Sequence, residues 1–273
     1  MVSKYSVLMS VYHKEKPEYL KQAIESIQAQ TRQTDDFVLV CDGSLNDALD
    51  KVIATKQQEM GTTLNVVRLA KNGGLGKALN EGIKHCKNEL VARMDSDDIA
   101  YPNRCEKQMA AFNAHPEASI CSGIVEEFTT DPNMVDTRRV PPETHAEIVE
   151  FAKKRNPFNH PCVMYKKSAV EAVGSYQDFY LLEDYYLWLR MLMAGYQGYN
   201  IQEPLLHMRA GSDMYKRRAG WKYAKTQAKL FKFMKEQDFI GEWQYIKSCV
   251  IRSGSALTPN WLRKFMFEMV LRK

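Results

Sequence analysis

The stretch RMDSDDIAYP (residues 93–102) places three carboxylates, Asp95, Asp97 and Asp98, within four positions. It follows the apolar run Leu90-Val91-Ala92, where a buried strand is expected to end. Like charges this close repel one another, and a cation held between them removes the repulsion. Carboxylate oxygens suit Mg²⁺ or Mn²⁺. The residues also allow an acidic turn before a helix, in which Asp caps the helix and Pro fits its first turn.

Two further polar signals follow apolar runs nearer the N-terminus. Ser10, Val11 and Tyr12 close the run YSVLMSVY, and Asp42 opens an Asp-Gly-Ser turn after FVLVC. In open α/β sheets, ligands bind at the carboxyl ends of the strands. Acidic and polar groups gathered at one end of a sheet therefore favour a binding site over a solvated face.

The elements that must position these residues alternate between short apolar strands and amphipathic helices. This alternation predicts an α/β fold with a Rossmann-like, mostly parallel central sheet covered by helices on both faces. The expected elements are strands over 5–12, 37–41, 65–69 and 90–94, and helices over 17–27, about 46–60 and from the glycine-rich KNGGLGK (71–77) onward.

The order of elements changes beyond about residue 140. Loops are expected at Pro141-Pro142 and at NPFNHP, and the chain is expected to be helical and basic from about residue 217. Between them the pattern predicts a strand over 162–165, a helix over 167–173, a helix from Glu183-Asp184 to Leu192, and late strands over 196–200 and 205–209.

Composition limits the class of protein. With 273 residues, 45% of them hydrophobic and 26% charged, the chain suits one large domain or a domain with a small appendage. Apolar runs are too short for a membrane-spanning helix, and the first residues lack the apolar core of a secretory signal. The six cysteines are scattered without a C-x-x-C pair, which is typical of packing thiols in a reducing cytosol.

Charge is distributed unevenly along the chain. Residues 201–273 hold 15 lysines and arginines against 6 aspartates and glutamates, although the whole chain has a net charge of only +5. Basic, aromatic-rich helices suit the interface of an anionic membrane, while an accessory helix packed on the domain is the alternative. No recognition motif for nucleic acid accompanies the charge. The residues concerned are Lys222, Lys225, Lys229, Lys232 and Lys235, and the segment WLRKFMFEMVLRK (261–273).

Two common nucleotide-binding motifs are missing. A P-loop would need Gly at position 71 and Ser or Thr at 78, which are Lys71 and Ala78. The dinucleotide fingerprint G-x-G-x-x-G is also absent after the first strand, where the sequence is SVYHKE. What remains is an Asp-x-Asp at a strand end, which suits a divalent metal bridging a diphosphate.

Five segments in order carry a resemblance to a known family: VLMSVY (7–12), Asp42-Gly43-Ser44, NGGLGKALNEG (72–82), DSDD (95–98) and EDYYLWLR (183–190). Together they resemble family 2 glycosyltransferases of the GT-A fold, above all the bacterial members that build capsule, exopolysaccharide or lipopolysaccharide. The resemblance covers residues 5 to about 218. It implies a GT-A domain over 1–215, with a nucleotide-binding half to about 100 and an acceptor half after it, and a basic helical C-terminal extension over 216–273.

The resemblance implies an inverting, divalent-metal-dependent transfer of a hexose from a UDP-sugar to a glycan or polyprenyl-diphosphate-linked acceptor. The place implied is cytoplasmic and peripheral, on the inner face of the cell membrane. Ser10, Val11 and Tyr12 would line the base pocket, and Asp42 would accept from a uracil N–H. Glu15 and Asp95 would contact the ribose, and Ser96, Gly74 and Lys77 would contact the donor. Asp97 and Asp95 would bind Mn²⁺ or Mg²⁺. Asp98 would support the metal site or cap the following helix.

On the acceptor side, the resemblance implies that Asp184 is the general base, with Glu183 as its neighbour. The alternative is an acidic helix N-terminus that complements the helix dipole. His160, Arg209, Arg217 and Arg218 are candidates for diphosphate or acceptor contacts. A late histidine serves as a metal ligand in some relatives, but His207 lies in a strand-like run, which favours a structural role.

Two other functions stay open at this point. A sugar-phosphate nucleotidyltransferase also combines an α/β sheet with carboxylate-held Mg²⁺, but it should carry a basic glycine-rich loop where this chain has SVYHK (10–14). A catalytically silent subunit of a polysaccharide-synthesis complex is the second alternative, although Asp95, Asp97 and Asp184 are all present.

Overall fold

The computed structural model describes residues 4–210 and 220–254. Its first half is a parallel sheet in the order β3-β2-β1-β4. The strands are β1 (Tyr5–Val11), β2 (Asp36–Cys41), β3 (Leu64–Arg68) and β4 (Leu90–Asp95), and the helices between them are α1 (Pro17–Gln28), α2 (Asp47–Met60) and α3 (Leu75–His85). These bounds lie within one or two residues of those that the apolar pattern predicts.

Burial explains why these segments form a sheet with helices on both faces. All six residues of β2 are buried, as expected for a strand covered on both sides. Helix α1 starts at a proline and turns Leu20, Ala23 and Ile24 into the core. The register pairs Ser10 of β1 with Asp95 of β4, so the predicted polar signals after these strands lie at the same edge.

The second half extends the same sheet beyond β4 in the order β4-β8-β6-β9-β5, with β7 paired to β6. Strand β8 is antiparallel to both β4 and β6, whereas the long strands β6 and β9 are parallel. The elements are β5 (Ile99–Ala100), α4 (Arg104–Ala114), β6 (Ala118–Phe128), β7 (Thr137–Arg139), α5 (His145–Ala152), β8 (Met164–Lys166), α6 (Lys167–Ala172), α7 (Glu183–Met193) and β9 (Gln197–Arg209).

Several predicted bounds in this half were wrong. The two late strands are one strand, β9, which runs through the polar residues that suggested a break; register shifts near Gly123 accommodate this irregular stretch. The strand expected from residue 162 begins at Met164, because a 3₁₀ turn containing Pro161 precedes it. Strand β6 was not predicted at all, since it is buried along nearly its whole length and shows no alternation.

A helical hairpin follows the sheet. It consists of α8 (Gly220–Glu236), α9 (Glu242–Ser248) and a π-helical turn over Cys249–Ser253. Helix α8 buries Tyr223, Leu230 and Phe231 against the core that also contains Trp188 of α7. In the part of the chain that the structure describes, no helix is both long enough and apolar enough to cross a membrane.

Candidate active site

The acidic turn forms the centre of the site. Asp95 ends β4, and Asp97 and Asp98 follow in the turn to β5; one carboxylate oxygen from each lies within 4.8 Å of the others. Burial, together with the charges of Asp95 and Glu15, raises the pKa of Asp97 to about 7. Burial and the charges of Asp97 and Asp95 raise the pKa of Asp98 well above its usual value. Oδ2 of Asp98 is buried and has no hydrogen-bond partner among the described residues. A hard cation fits this donor set, because it would offset the repulsion and occupy free carboxylate oxygens.

A buried arginine that sequence reasoning missed sets the direction of Asp95. Arg93 is 1% exposed in β4 and reaches Asp95 with two nitrogens: Nη1 lies 3.0 Å from Oδ2, and Nη2 donates to Oδ1. Burial works to lower the pKa of Arg93, but the charge and hydrogen bonds of Asp95, together with Tyr176 and Asp98, outweigh burial, so the pKa is raised. The signal was available, since an arginine inside the apolar run LVARM needs a buried partner.

Arg209 holds the acidic turn from behind, which differs from the predicted diphosphate contact. Its backbone N–H donates to Asp98 Oδ1 (2.9 Å), and its Nε donates to the backbone oxygen of Asp97 (3.1 Å). The guanidinium stacks on the rings of Tyr19 and Phe128, 3.7 and 4.6 Å from their centroids. These contacts give Arg209 a structural role in the observed arrangement.

The expectation that Asp98 might cap the following helix was wrong. Asn103 is the N-cap residue of α4, and no side chain caps that helix end. Asp98 is turned instead toward β9, where it accepts the Arg209 N–H. Because β5 pairs with β9 beside this residue, the tertiary contact and not the local sequence decides its orientation.

Residues from the β1 loop meet the acidic turn. Ser96 Oγ donates to Glu15 Oε2 at 2.8 Å, and the Glu15 N–H donates to the backbone oxygen of Tyr12 at 3.0 Å. The Tyr12 ring is 41% exposed, which leaves an aromatic face at the sheet edge. The predicted base-pocket and ribose residues are thus brought together, with Ser10 beside Asp95 in the register.

Asp42 holds the glycine-rich loop that precedes α3. Its two carboxylate oxygens accept the backbone N–H groups of Gly73 (2.7 Å) and Gly74 (3.0 Å). A carboxylate has lone pairs for about four hydrogen bonds, so these two contacts leave capacity for a ligand donor. The predicted uracil contact therefore stays a prediction. Lys77 is exposed, and its side chain folds over Gly73.

The loop has steric requirements that explain its glycines. Gly43 has φ +84°, and a Cβ there would lie 2.6 Å from the backbone nitrogen of Asn72. Gly74 is the N-cap residue of α3 and has φ +88°. Both conformations favour glycine. The short distance at Gly43 also shows that the Asp42 turn and the glycine-rich loop approach one another backbone to backbone.

The pair Glu183-Asp184 begins α7. Asp184 Oδ2 accepts a hydrogen bond from Nδ2 of Asn156 at 2.7 Å. Glu183 Oε1 accepts from the Leu181 N–H at 3.3 Å, and burial raises the pKa of Glu183. The side chain of Glu183 lies close to Gly76, so the N-termini of α7 and α3 face one another. Sequence reasoning missed Asn156, although an amide three residues before Asn159-His160-Pro161 was visible.

A second missed contact joins the two halves. Asn80 of α3 donates from Nδ2 to the backbone oxygen of Tyr176 (2.6 Å) and accepts the Tyr176 N–H at Oδ1 (2.9 Å). The Tyr176 hydroxyl hydrogen-bonds with Nε2 of His160 at 2.9 Å. Burial, aided by the charge of Arg93, lowers the pKa of His160 well below its usual value, so this imidazole is neutral. His160 therefore joins a buried network with Tyr176 next to the site.

His207 lies apart from the carboxylate cluster that the described residues form. Its ring stacks on Tyr101 with 4.3 Å between centroids, and its Nδ1 is 3.7 Å from Glu126 Oε2. These contacts agree with the structural role that its strand position favours. The predicted contacts of Arg217 and Arg218, and the segment 261–273, lie outside the described residues.

Residues 6–174 match the family model described as "Glycosyl transferase family 2". The chain belongs to glycosyl transferase family 2. The matched region contains the β1 loop, Asp42, the glycine-rich loop and the acidic turn, and the predicted family is confirmed. As a family 2 glycosyltransferase, the chain also has full-length relatives in bacteria.

Two relatives match over almost the whole chain. The amylovoran biosynthesis glycosyltransferase AmsE of Erwinia amylovora is 41% identical, over 97% of this chain and 98% of its own. The UDP-Gal:alpha-D-GlcNAc-diphosphoundecaprenol beta-1,3-galactosyltransferase of Escherichia coli is 36% identical, over 99% of this chain and 97% of its own.

Solved structures of low sequence identity share the fold. The S. aureus TarS 1-349 structure in complex with UDP-GlcNAc has a TM-score of 0.67 and 18% identity, and the match covers 98% of this chain and 76% of that one. The mannosyltransferase PcManGT of Pyrobaculum calidifontis, in complex with GDP-Man and Mn²⁺, has a TM-score of 0.66 and 13% identity, over 98% and 75%. The predicted GT-A fold is confirmed.

Proposed function

We propose that this family 2 glycosyltransferase is an inverting, divalent-metal-dependent hexosyltransferase. It would move a hexose from a UDP-sugar to a lipid-diphosphate-linked acceptor in the synthesis of a bacterial surface polysaccharide. The observation that carries the proposal is the cluster of Asp95, Asp97 and Asp98 at the end of β4, which suits a divalent cation. Asp184 supports it, because it lies at the start of α7, and the N-terminus of that helix faces the start of α3. The name of the Escherichia coli relative supports the donor and acceptor classes, and the name of the Erwinia amylovora relative supports a role in polysaccharide synthesis.

The donor half would hold the nucleotide and its diphosphate. Asp95 and Asp97 would hold Mn²⁺ or Mg²⁺, which as a Lewis acid would stabilise the charge on the departing UDP. Arg93 keeps Asp95 in a fixed orientation, and Arg209 fixes the peptide between Asp97 and Asp98. Because both supports are buried or stacked, the carboxylates need little reorganisation when the donor binds.

The acceptor half would supply the base. Asp184 would take the proton from the acceptor hydroxyl as that oxygen attacks the anomeric carbon, while the bond to UDP breaks. One displacement inverts the anomeric configuration and needs no covalent nucleophile. Asn156 would hold one oxygen of Asp184 and so fix the orientation of the carboxylate.

The described C-terminal hairpin would bring the enzyme to the inner face of the cell membrane, where a polyprenyl-diphosphate acceptor resides. The exposed lysines of α8 support an anionic partner. A nucleotidyltransferase has less support, since the β1 loop gathers Glu15 against the acidic turn and contains no glycine-rich phosphate loop.

The test is a panel of UDP-sugars, incubated with each metal or with a chelator and with a GlcNAc-diphosphate-lipid acceptor, in which UDP release and glycan product are measured. Asp184→Asn should lower transfer by about 10² or more while UDP binding with Mn²⁺ is retained. Asp178→Asn is the matched control, because Asp178 is an exposed carboxylate six residues away. Full transfer by Asp184→Asn, or transfer that the chelator does not affect, would contradict the proposal.

A further inference from the structure

The helical hairpin carries an unusual amount of exposed apolar side chain. Trp243, Ile246 and Val250 are 84%, 43% and 69% exposed, and they follow one another at intervals of three and four residues. Side chains at this spacing lie on one face of a helix. We call this face, formed by Trp243, Ile246 and Val250, the hairpin ridge. A second tryptophan of the hairpin, Trp221 at the start of α8, is 70% exposed.

The ridge is the outer side of a helix that is attached to the domain by its other sides. Gln244 donates to the backbone oxygen of Lys153, and Arg252 donates to that of Lys154. Tyr245 and Cys249 pack against the apolar core. The apolar residues of the ridge are therefore not needed to pack the helix against the domain. A helix face that is only exposed to solvent is usually polar, so this apolar face calls for a partner.

The charges of the hairpin identify the class of partner. Residues 220–254 contain seven lysines and arginines against three aspartates and glutamates, and Lys247 lies within the span of the ridge. Exposed tryptophan with aliphatic neighbours and an adjacent exposed lysine, Lys247, fits the interface of an anionic bilayer, where indole rings sit at headgroup level and lysines reach the phosphates. A purely apolar partner would bring no counter-charge to Lys247.

The hairpin also contacts the segment that carries the candidate base. Lys222 lies 3.8 Å from the ring centroid of Tyr180, and Lys229 lies 4.9 Å from that of Phe179. The rings of Phe233 and Tyr186 meet edge to face, with 4.9 Å between centroids. Glu183 and Asp184 lie between these contacts along the chain. These contacts connect the hairpin to the chain segment that carries Glu183 and Asp184, on the acceptor side of the proposed site.

We infer that the hairpin ridge inserts into the headgroup region of an anionic lipid bilayer and so presents the acceptor side of the site to lipid-linked substrates. The inference rests on the proposed function, because a lipid-linked acceptor requires the enzyme at a bilayer. It assigns the docking surface to α9 and the following turn, whereas the sequence pointed to the lysines of α8 and to residues 261–273.

Vesicle flotation of the full chain tests the inference. We compare vesicles of phosphatidylglycerol and phosphatidylcholine with vesicles of phosphatidylcholine alone. The double variant Trp243→Ser with Val250→Ser should lower partitioning onto the anionic vesicles by roughly tenfold, as expected when buried apolar surface is lost.

Met134→Ser is the control, because Met134 is also 69% exposed but lies far along the chain, before β7. In the wild type, Trp fluorescence should shift to the blue on adding anionic vesicles, and the shift should shrink in Trp243→Phe.

Three outcomes would overturn the inference: equal partitioning of the double variant and the wild type, a fluorescence shift that Trp243→Phe leaves unchanged, or a ridge already covered in the free protein. Coverage would appear as Trp243 shielded from an aqueous quencher, or as a dimer that the double variant dissociates. Transfer to a short-chain soluble acceptor separates the two proposals. If the wild type transfers normally but the double variant partitions like the wild type, the role of the ridge is rejected and the proposed function stands. If the wild type binds vesicles but shows no transfer, the proposed function is rejected and the role of the ridge stands.

Discussion

Asn156 illustrates how a single residue can govern the candidate base. A carboxylate at a helix N-terminus is stabilised by the helix dipole, but the dipole does not select one rotamer. The hydrogen bond from Asn156 Nδ2 fixes one oxygen of Asp184, and the Asn156 side chain is itself held because Oδ1 accepts the Phe158 N–H at 3.2 Å. The base is therefore positioned by the loop before the NHP turn.

Replacing Asn156 by alanine should lower kcat by roughly tenfold or more with little change in the KM for the donor, because the base loses its orientation while the nucleotide site is untouched. Steady-state kinetics and a pH–rate profile measure both effects. Asn88→Ala is the control, since Asn88 makes an exposed hydrogen bond to Asp35 of the same kind. An unchanged kcat in Asn156→Ala would remove the positioning role.

At the scale of elements, helix α3 connects the glycine-rich loop to the sheet. Its Gly82 faces β1 and β2 so closely that a Cβ would lie 2.4 Å from Leu8 Cδ1 and 2.6 Å from Val40 Cγ2. The close approach seats the helix on the sheet, and the Asp42 carboxylate then reaches the N–H groups at the start of the same helix. Sheet packing and loop position are consequently coupled through one rigid helix.

Gly82→Ala should lower the free energy of unfolding by about 1–3 kcal/mol, because the added methyl overpacks a buried helix–sheet contact. Gly76→Ala in the same helix is the matched control: its Cβ would meet neighbours only at 3.6 Å or more. There the free energy of unfolding should stay the same or rise by up to about 1 kcal/mol. Urea titrations of both variants measure the difference, and equal stability of the two would contradict the packing argument.

At the scale of the whole molecule, the site depends on contacts between chain segments far apart in sequence. Asn80 in the first half of the sheet is hydrogen-bonded to both backbone groups of Tyr176, and Tyr176 is hydrogen-bonded to His160. Arg209 at the end of β9 reaches back to Asp97 and Asp98. The two halves of the sheet are thus held in one arrangement around the candidate site.

Asn80→Ala should lower the free energy of unfolding by about 2 kcal/mol, since both backbone groups of a buried Tyr176 lose their partner. Activity should fall as well, because the Tyr176–His160 pair is no longer held against α3. Denaturant unfolding and transfer assays measure the two effects, with Asn133→Ala as an exposed control that should change stability by less than about 0.5 kcal/mol. Wild-type stability in Asn80→Ala would show that the halves are held together by other contacts.

Local sequence patterns were enough to predict the family, the parallel half of the sheet and the types of residue at its edge. This was possible because runs of apolar residues indicate buried strands, and apolar residues at helical spacing indicate helix faces. The carboxyl ends of parallel strands meet at one edge of the sheet, so the residues that follow the strands are expected to lie together. The sequence also placed Glu183 and Asp184 at the start of a helix.

The hydrogen-bond partner of each of these side chains became visible only in the folded chain. Arg93 turns Asp95, Arg209 locks Asp97 and Asp98, Asn156 holds Asp184, and Asp42 holds the glycine-rich loop. Apart from Arg93 and Asp95, these pairs are separated by 28 residues or more, and hydrogen-bond partners at such separations leave no period or spacing in the chain. Strand β6 also escaped prediction, because the core covers both of its faces and so removes the alternation that marks a half-exposed strand.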